Sequence, residues 1–183
     1  MVKKIVGTGV LLVLALALQA GVKMYTLKSP DGKVKLEVTA GQGIAYSLFY
    51  DGRLLLKPSR IALHTDLPEA DHWENIRITG TKQRHVSETV QAPFYRVKEF
   101  GIDCNELELR LNNGFSLLMR AYNDGMAYRF VAGRKGEMTV VEERAEFNFA
   151  DDFEAYIPYS TNPKDPWNMA FQNFYTKAPL TQY

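Results

Sequence analysis

The chain has 183 residues and a formal net charge of +1, a balance that argues against nucleic-acid binding, because nucleic-acid binders carry a basic face. Hydrophobic residues make up 46% and aromatic residues 12% of the sequence, which is enough for a packed core, and the length predicts one domain. The single cysteine, Cys104, excludes an internal disulfide. We expect it to be buried as a small hydrophobic side chain.

Residues 1–20 have the pattern of a secretory signal peptide. Lys3 and Lys4 precede an apolar run at residues 5–18, and a small-residue cleavage site ends at Ala20. A membrane anchor is the alternative, but the run is shorter than the ~20 apolar residues that a span needs. We therefore expect a secreted or periplasmic protein that has no membrane association after cleavage.

The sequence from residue 21 to residue 155 has the pattern of β-strands, with no convincing helical periodicity. Apolar and polar residues alternate in short runs that are separated by turn residues, and this pattern predicts an all-β fold, a two-sheet antiparallel sandwich. The predicted strands are residues 33–38, 45–50, 53–56, 60–64, 73–79, 84–90, 95–100, 106–111, 115–122, 126–130, 138–141 and 144–149. The predicted core residues are Val34, Leu36, Val38, Leu107, Leu109, Leu111, Leu117, Met119, Tyr128 and Phe130.

The last segment, residues 156–183, differs from the rest of the chain. It contains four prolines, a density that predicts irregular structure. Trp167, Phe171 and Tyr175 lie in this segment, where they would either stack on a sugar or seal an interface with another domain. We expect the segment to lead to a domain that this chain lacks.

No pattern in the chain predicts a catalytic or zinc-binding residue. His64, His72 and His85 lack the spacing of metal ligands on a helix and have no cysteine partners. Glycoside hydrolysis needs two carboxylates that flank one bond, whereas the adjacent Glu142 and Glu143 point to opposite faces of a strand. Solvated charge is the simpler interpretation of both carboxylates.

Four motifs together carry a resemblance to a known family. They are SPDGK at residues 29–33, YDGRLLLKPS at residues 50–59, NEL at residues 105–107 and RAYNDGMAYRF at residues 120–130. In this order they resemble the N-terminal domain of glycoside hydrolase family 97, which comprises secreted, calcium-dependent α-glucosidases and α-galactosidases. The resemblance implies a large sandwich of the galactose mutarotase type, and it implies that the catalytic barrel and catalytic residues lie outside this chain.

The resemblance also implies a metal-binding position in the proline-rich segment. Family members carry an F-E-x-x-Y element whose glutamate binds the catalytic calcium, and the matching run here is FQNFY at residues 171–175. Gln172 occupies the glutamate position. Its carbonyl oxygen is an acceptable calcium ligand but lacks the negative charge. The alternative is that Gln172 is an ordinary polar residue of a packed loop.

Two functional hypotheses follow from these expectations. In the first, the chain is the N-terminal, non-catalytic part of a family 97-like α-glycosidase, where it supports the barrel and closes one side of a pocket for α-linked glucosides or galactosides. In the second, it is a stand-alone secreted β-sandwich that binds carbohydrate through its aromatic segment. The sugar, the linkage and the stereochemical outcome would depend on the barrel.

Overall fold

The computed structural model describes residues 23–159, residue 164 and residues 173–182. Regular structure in these residues is β-strand, apart from one 3-10 helix at Leu180–Gln182, and no helix among them is long and apolar enough to cross a membrane. The predicted signal peptide lies outside them. The strands are β1 Lys23–Lys28, β2 Val34–Gly41, β3 Gly43–Tyr50, β4 Arg53–Thr65, β5 Ile78–Gln91, β6 Glu99–Leu111, β7 Phe115–Tyr122, β8 Gly125–Ala132, β9 Val140–Ala145, β10 Glu154–Ile157 and β11 Thr176–Pro179.

These strands form two antiparallel sheets that pack face to face, and the predicted sandwich is therefore confirmed. One sheet has the order β1-β2-β3-β4-β9 and the other has the order β5-β6-β7-β8. A separate two-stranded ladder joins β10 to β11. One continuous core of buried residues from both sheets fills the space between them.

The alternation in the sequence determines which side chains enter this core. Strands β2 and β7 bury every second residue, because successive side chains of a strand point to opposite faces. Eight of the ten predicted core residues are at most 5% exposed. The other two, Tyr128 and Phe130, are only partly buried, because β8 is an edge strand of its sheet.

Strand β4 is one long strand where the sequence predicts two short ones. It continues through Pro58, and its pairing with β3 shifts register there, since Tyr46 faces Ser59 while Leu48 faces Leu56. The shift is a β-bulge, which accommodates a residue that has no N–H to donate. Strand β5 likewise passes through Gly80, the expected break, with a register shift between Ile78 and Gly80.

Two predicted strands are wrong. Residues 73–77 form a turn, in which Asn75 has a φ of 59°, although Trp73 and Ile76 are both buried. Residues 92–98 form the connection between β5 and β6, so that only the end of the predicted 95–100 strand is extended. Alternation over so few residues does not distinguish a strand from a loop with apolar anchors.

The proline-rich segment contains regular structure that the sequence did not predict. Strands β10 and β11 pair from Glu154 opposite Pro179 to Ile157 opposite Thr176. Each has four residues, and a long connection separates them. Neither strand therefore gives a local signal. Three of the predicted site residues, Trp167, Phe171 and Gln172, lie in the part of this connection outside the described residues.

Candidate functional site at the motif end of the sandwich

The sequence motifs that carry the family resemblance converge in space. Backbone hydrogen bonds and one side-chain hydrogen bond connect the turns to which they belong. The Asp31 N–H donates to the Asn123 side-chain oxygen at 3.1 Å, and the Asp51 N–H donates to the Lys33 carbonyl at 2.9 Å. We call this part of the molecule the motif end. It consists of the turns at residues 29–33, 50–53 and 122–125 and of Asn105.

Each turn at the motif end has a local reason for its sequence. The Asp31 carboxylate accepts hydrogen bonds from the Ser29 hydroxyl at 2.6 Å and from the Lys33 N–H at 3.0 Å, and these bonds lower the pKa of Asp31. In the next turn, Asp51 and Gly52 both have positive φ, at 48° and 79°, as tight hairpin turns require. The polar residues of these turns therefore stabilise the turns themselves.

Asn105 connects the two sheets at this end. Its side-chain nitrogen donates to the Lys28 carbonyl at the end of β1, over 2.8 Å, and its side-chain oxygen lies 3.0 Å from Nδ1 of His85. Its neighbour Leu107 is in the core. The NEL motif thus contains both the residue that connects the two sheets, Asn105, and a core residue, Leu107.

The remaining residue of that motif, Glu106, forms a buried ion pair on the outer face of the four-stranded sheet. Its carboxylate accepts hydrogen bonds from Nε of Arg84 and Nε of Arg120, both at 2.7 Å. The two arginines lie directly opposite Glu106 on β5 and β7. Only 6% of the Glu106 side chain is exposed. Burial alone would raise the pKa of Glu106, but the two guanidinium groups outweigh burial and lower it.

This arrangement excludes Glu106 as a general acid or base. A general acid must hold a proton near neutral pH, whereas the Glu106 carboxylate is kept ionised with both oxygens bonded to arginine. Arg120 also belongs to the RAYNDGMAYRF motif, and its hydrogen bonds to Tyr122 and Glu106 raise its pKa. The ion pair of Glu106 with Arg84 and Arg120 therefore stabilises the four-stranded sheet where the NEL and RAYNDGMAYRF motifs lie side by side.

The chain leaves the sandwich at the same end. After β9 it runs along β4, where the Lys57 N–H donates to the Asn148 carbonyl at 2.7 Å and the Ala150 N–H donates to the Leu55 carbonyl at 2.9 Å. Asp151 then pairs with Arg53 at 3.3 Å. The β10–β11 ladder follows immediately, and it is therefore attached to the motif end.

Side-chain bonds define the shape of the ladder. Asp152 accepts from the N–H and the hydroxyl of Thr181, at 3.0 Å and 2.9 Å, and Lys177 pairs with Glu154 at 2.7 Å. A hydrogen bond links the two ends of the connection between its strands, because the Asn173 side chain donates to the Tyr159 carbonyl at 2.6 Å.

The ladder presents aromatic side chains to solvent. Tyr175, the one predicted contact residue within the described part of the chain, is 63% exposed, and its neighbour Phe174 is 98% exposed. Tyr156 on β10 is exposed as well. The structure therefore places Tyr175 in an exposed position directly before β11, three residues after Gln172 in the sequence.

The described residues do not by themselves form a calcium site. No group of three or more histidine, cysteine, aspartate or glutamate side chains among them could hold a metal ion. The carboxylates nearest to the ladder are already bonded, Asp151 to Arg53, Asp152 to Thr181 and Glu154 to Lys177. Calcium at this place would need further ligands from elsewhere.

Other candidate residues have structural partners. Cys104 is fully buried, as expected, and burial raises the pKa of its thiol. His64 lies 2.8 Å from Asp71. Glu142 and Glu143 are both exposed on β9, and Glu143 accepts a hydrogen bond from the Tyr128 hydroxyl at 3.1 Å. Burial and the charge of Glu143 raise the pKa of Tyr128 to about 12.

The fold and the converging motifs define a two-sheet antiparallel β-sandwich. The family model described as Glycosyl-hydrolase 97 N-terminal matches residues 27–183, and the chain belongs to this family. It is 38% identical over 173 residues to a retaining alpha-galactosidase of Bacteroides thetaiotaomicron, a match that covers 91% of this chain and 26% of the relative.

Solved structures show the same fold at lower identity. A Glycoside Hydrolase Family 97 enzyme from Pseudoalteromonas sp. strain K8, in complex with acarbose, superposes with a TM-score of 0.69 at 19% identity, covering 86% of this chain and 25% of that one. A beta-arabinopyranosidase superposes with a TM-score of 0.68 at 22% identity, covering 83% and 26%. This chain thus spans about a quarter of the length of the relatives it matches.

Proposed function

We propose that this chain is the non-catalytic N-terminal domain of a secreted or periplasmic family 97 α-glycosidase. In the whole enzyme it supports the catalytic barrel and closes one side of a pocket for α-linked glucosides or galactosides. The match to the N-terminal family and to a quarter of an alpha-galactosidase supports this proposal. The observation that carries it is the aromatic surface of the β10–β11 ladder at the end where the chain leaves the sandwich.

The chemistry of the ladder fits such a role. Aromatic side chains supply both contact area for a neighbouring domain and flat faces for sugar rings. Tyr175 and Phe174 offer these faces on a ladder that is anchored to the motif end through Arg53 and Asp151. In this proposal the catalytic acid and base belong to the barrel, as the family resemblance implies.

The proposal includes a contribution of Gln172 to calcium binding in the whole enzyme. Gln172 directly precedes Asn173, whose bond to the Tyr159 carbonyl ties the base of the loop. Calcium affinity follows the number of charged ligands. In the full-length enzyme Gln172→Glu should therefore tighten calcium binding, and Gln172→Ala should weaken it. Calcium titration of the three proteins measures this, and equal affinities would show that Gln172 is not a ligand.

Assays with p-nitrophenyl α-glucoside and α-galactoside test the main proposal. The isolated chain should give no turnover above the buffer rate, whereas the full-length polypeptide should hydrolyse one of the two substrates. Tyr175→Ala in the full-length polypeptide should raise KM about tenfold, which corresponds to about 1.4 kcal/mol of binding. Its melting temperature should not change, because Tyr175 lies outside the core.

Val131→Ala is the matched control, since Val131 is an exposed apolar residue of β8. It should leave KM unchanged. Turnover by the isolated chain that a substitution within it abolishes would overturn the proposal. Binding of a sugar by the isolated chain, lost in Tyr175→Ala, would instead favour a stand-alone carbohydrate-binding domain.

A further inference from the structure

The hairpin of β5 and β6 extends beyond the rest of its sheet. Strand β6 pairs with β7 only from Asn105 to Arg110, whereas it pairs with β5 as far as Glu99 opposite Gln91. Six residue pairs, from Val86–Cys104 to Gln91–Glu99, therefore have no third strand beside them. We call residues 86–104 the arm. At ~3.4 Å per residue it reaches roughly 20 Å along the strand direction.

The tip of the arm has a defined shape. The Ala92 N–H donates to the Lys98 carbonyl at 2.7 Å, and the Tyr95 N–H donates to the Ala92 carbonyl at 3.1 Å. Below them, the Gln91 side chain donates to the Glu99 carboxylate at 2.8 Å. These bonds close residues 92–98 into a compact loop.

This loop presents apolar side chains to solvent. Phe94 is completely exposed, Tyr95 is 64% exposed and Val97 is 51% exposed. The Tyr95 ring lies 5.5 Å from the ring of Phe100, which extends the apolar surface along the arm. Two-stranded hairpins are marginally stable on their own, and exposed apolar patches mark interaction sites. The arm therefore has the composition of the buried centre of an interface.

The position of the arm indicates its partner. Its base is at the motif end, because Asn105 holds the Lys28 carbonyl there. The chain also leaves the sandwich at that end, where Asp151 pairs with Arg53. Relatives that match this chain continue for about three quarters of their length outside the matched part. Whatever follows in the polypeptide therefore begins on the side toward which the arm projects.

The charges along strand β5 disfavour a second copy of the chain as the partner. Strand β5 is a free edge, but it carries Lys82, Arg84 and Glu88, and charged side chains of this kind prevent edge-to-edge pairing. Exposed Arg96 and Lys98 alternate with the apolar residues of the tip, and Glu99 lies directly below them, where its carboxylate accepts a hydrogen bond from Gln91. Because the tip carries charges of both signs, its partner surface would be an apolar depression with a polar rim.

We propose that the arm docks through Phe94, Tyr95 and Val97 into an apolar depression with a polar rim on the catalytic domain of the same polypeptide. This inference rests on the proposed function, since it takes the catalytic domain as the partner. The arm would then fix the orientation of the sandwich on the barrel at a second point, distinct from the β10–β11 ladder.

Amide hydrogen exchange in the isolated chain and in the full-length polypeptide tests the docking. Residues 92–98 should exchange at least about tenfold more slowly in the full-length protein. Phe94→Ser combined with Val97→Ser in the full-length protein should remove that protection. The same pair in the isolated chain should leave the melting temperature unchanged, because both side chains are already in water.

Val141→Ser is the matched control, since Val141 is also an exposed apolar residue, on β9. It should leave the exchange of residues 92–98 as it is. Equal exchange of the arm in both proteins, in a full-length enzyme that hydrolyses its substrate, would overturn the docking and leave the proposed function intact. Protection of the isolated chain that rises with its concentration would overturn it in favour of a second copy. A full-length protein without glycosidase activity would overturn the proposed function and the docking together.

Discussion

The two ends of the sandwich differ in what their loops contact. At the end opposite the motif end, the loops bond to one another. Thr139 and Asp66 exchange two hydrogen bonds, at 2.9 Å and 3.1 Å, and the Asn113 side chain donates to the Ala70 carbonyl at 3.3 Å. Trp73 closes the core there. The loops close this end through hydrogen bonds to one another, whereas the arm and the β10–β11 ladder extend outward from the motif end.

The exposed apolar side chains show the same difference. Near the opposite end and along the edges of the sheets most large exposed residues are not aromatic, namely Met24, Val131, Val140 and Val141, and Phe147 is the exception. At the motif end, on the arm and in the ladder they are mainly aromatic, and these are Tyr50, Phe94, Tyr95, Phe100, Phe149, Tyr156, Tyr159, Phe174 and Tyr175. Aromatic residues are enriched in interfaces. The exposed aromatic residues are thus concentrated at the motif end.

Trp73→Ala tests the closed end and should have the largest effect. The Trp73 side chain is 6% exposed and packs against the rings of Phe115 and Phe130, at 5.9 Å and 5.1 Å. Its indole N–H also donates to the Leu63 carbonyl at 3.0 Å. Removal of this side chain should lower the free energy of unfolding by about 3–5 kcal/mol, as measured by denaturant titration of the isolated chain.

Phe94→Ala is the matched aromatic substitution at the other end. Because Phe94 is fully exposed, the free energy of unfolding should change by less than about 0.5 kcal/mol. Equal losses for the two variants would contradict the difference between the closed end and the motif end.

Glu106→Gln should have an intermediate effect. The substitution keeps the shape of the side chain but leaves Arg84 and Arg120 without their carboxylate. Removal of one partner from a buried pair costs several kcal/mol, and the exposure of Arg84, 53% of its side chain, reduces this cost. We expect the free energy of unfolding at pH 7 to fall by about 1–3 kcal/mol.

The pH dependence of this loss has a defined sign. The pKa of Glu106 is lower in the folded state than its ordinary value of 4.5, so its charge stabilises the fold fully above that value. The contribution disappears as the pH falls through the folded pKa. The difference between the native chain and Glu106→Gln should therefore shrink below about pH 4. Denaturation at several pH values measures it, and a difference that grows in acid would contradict this assignment.

The fold was predictable where the pattern is local. Strand β7 has the predicted bounds, because an apolar, strand-like run lies between an Asn-Gly turn and an Asn-Asp-Gly turn. Strands β10 and β11 were not predictable, since each is too short to give a periodic signal and its partner is remote in sequence. The arm was also missed, because only the register shows that β6 extends beyond β7.

The site was predictable in part for a similar reason. The turn residues of the motifs were evident from the sequence, but their convergence depends on long-range bonds such as Asn105 to Lys28. The Glu106 ion pair combines charges from three strands, and charged residues alternate on exposed strand faces in any case. No sequence pattern distinguishes a buried glutamate from a solvated one before the neighbouring strands are placed.

Asn123→Ala should have a smaller effect than Glu106→Gln and tests whether the motif end is held together by its own turns. The substitution removes the oxygen that accepts the Asp31 N–H at 3.1 Å across 92 positions of sequence. This bond is exposed, so its loss should lower the free energy of unfolding by about 0.5–1 kcal/mol. Gln42→Ala in the exposed turn at the opposite end is the control and should change it by less than about 0.5 kcal/mol. Exchange of the Asp31 amide should increase in Asn123→Ala and not in Gln42→Ala. An unchanged Asp31 amide would show that the two turns are held by their strands alone.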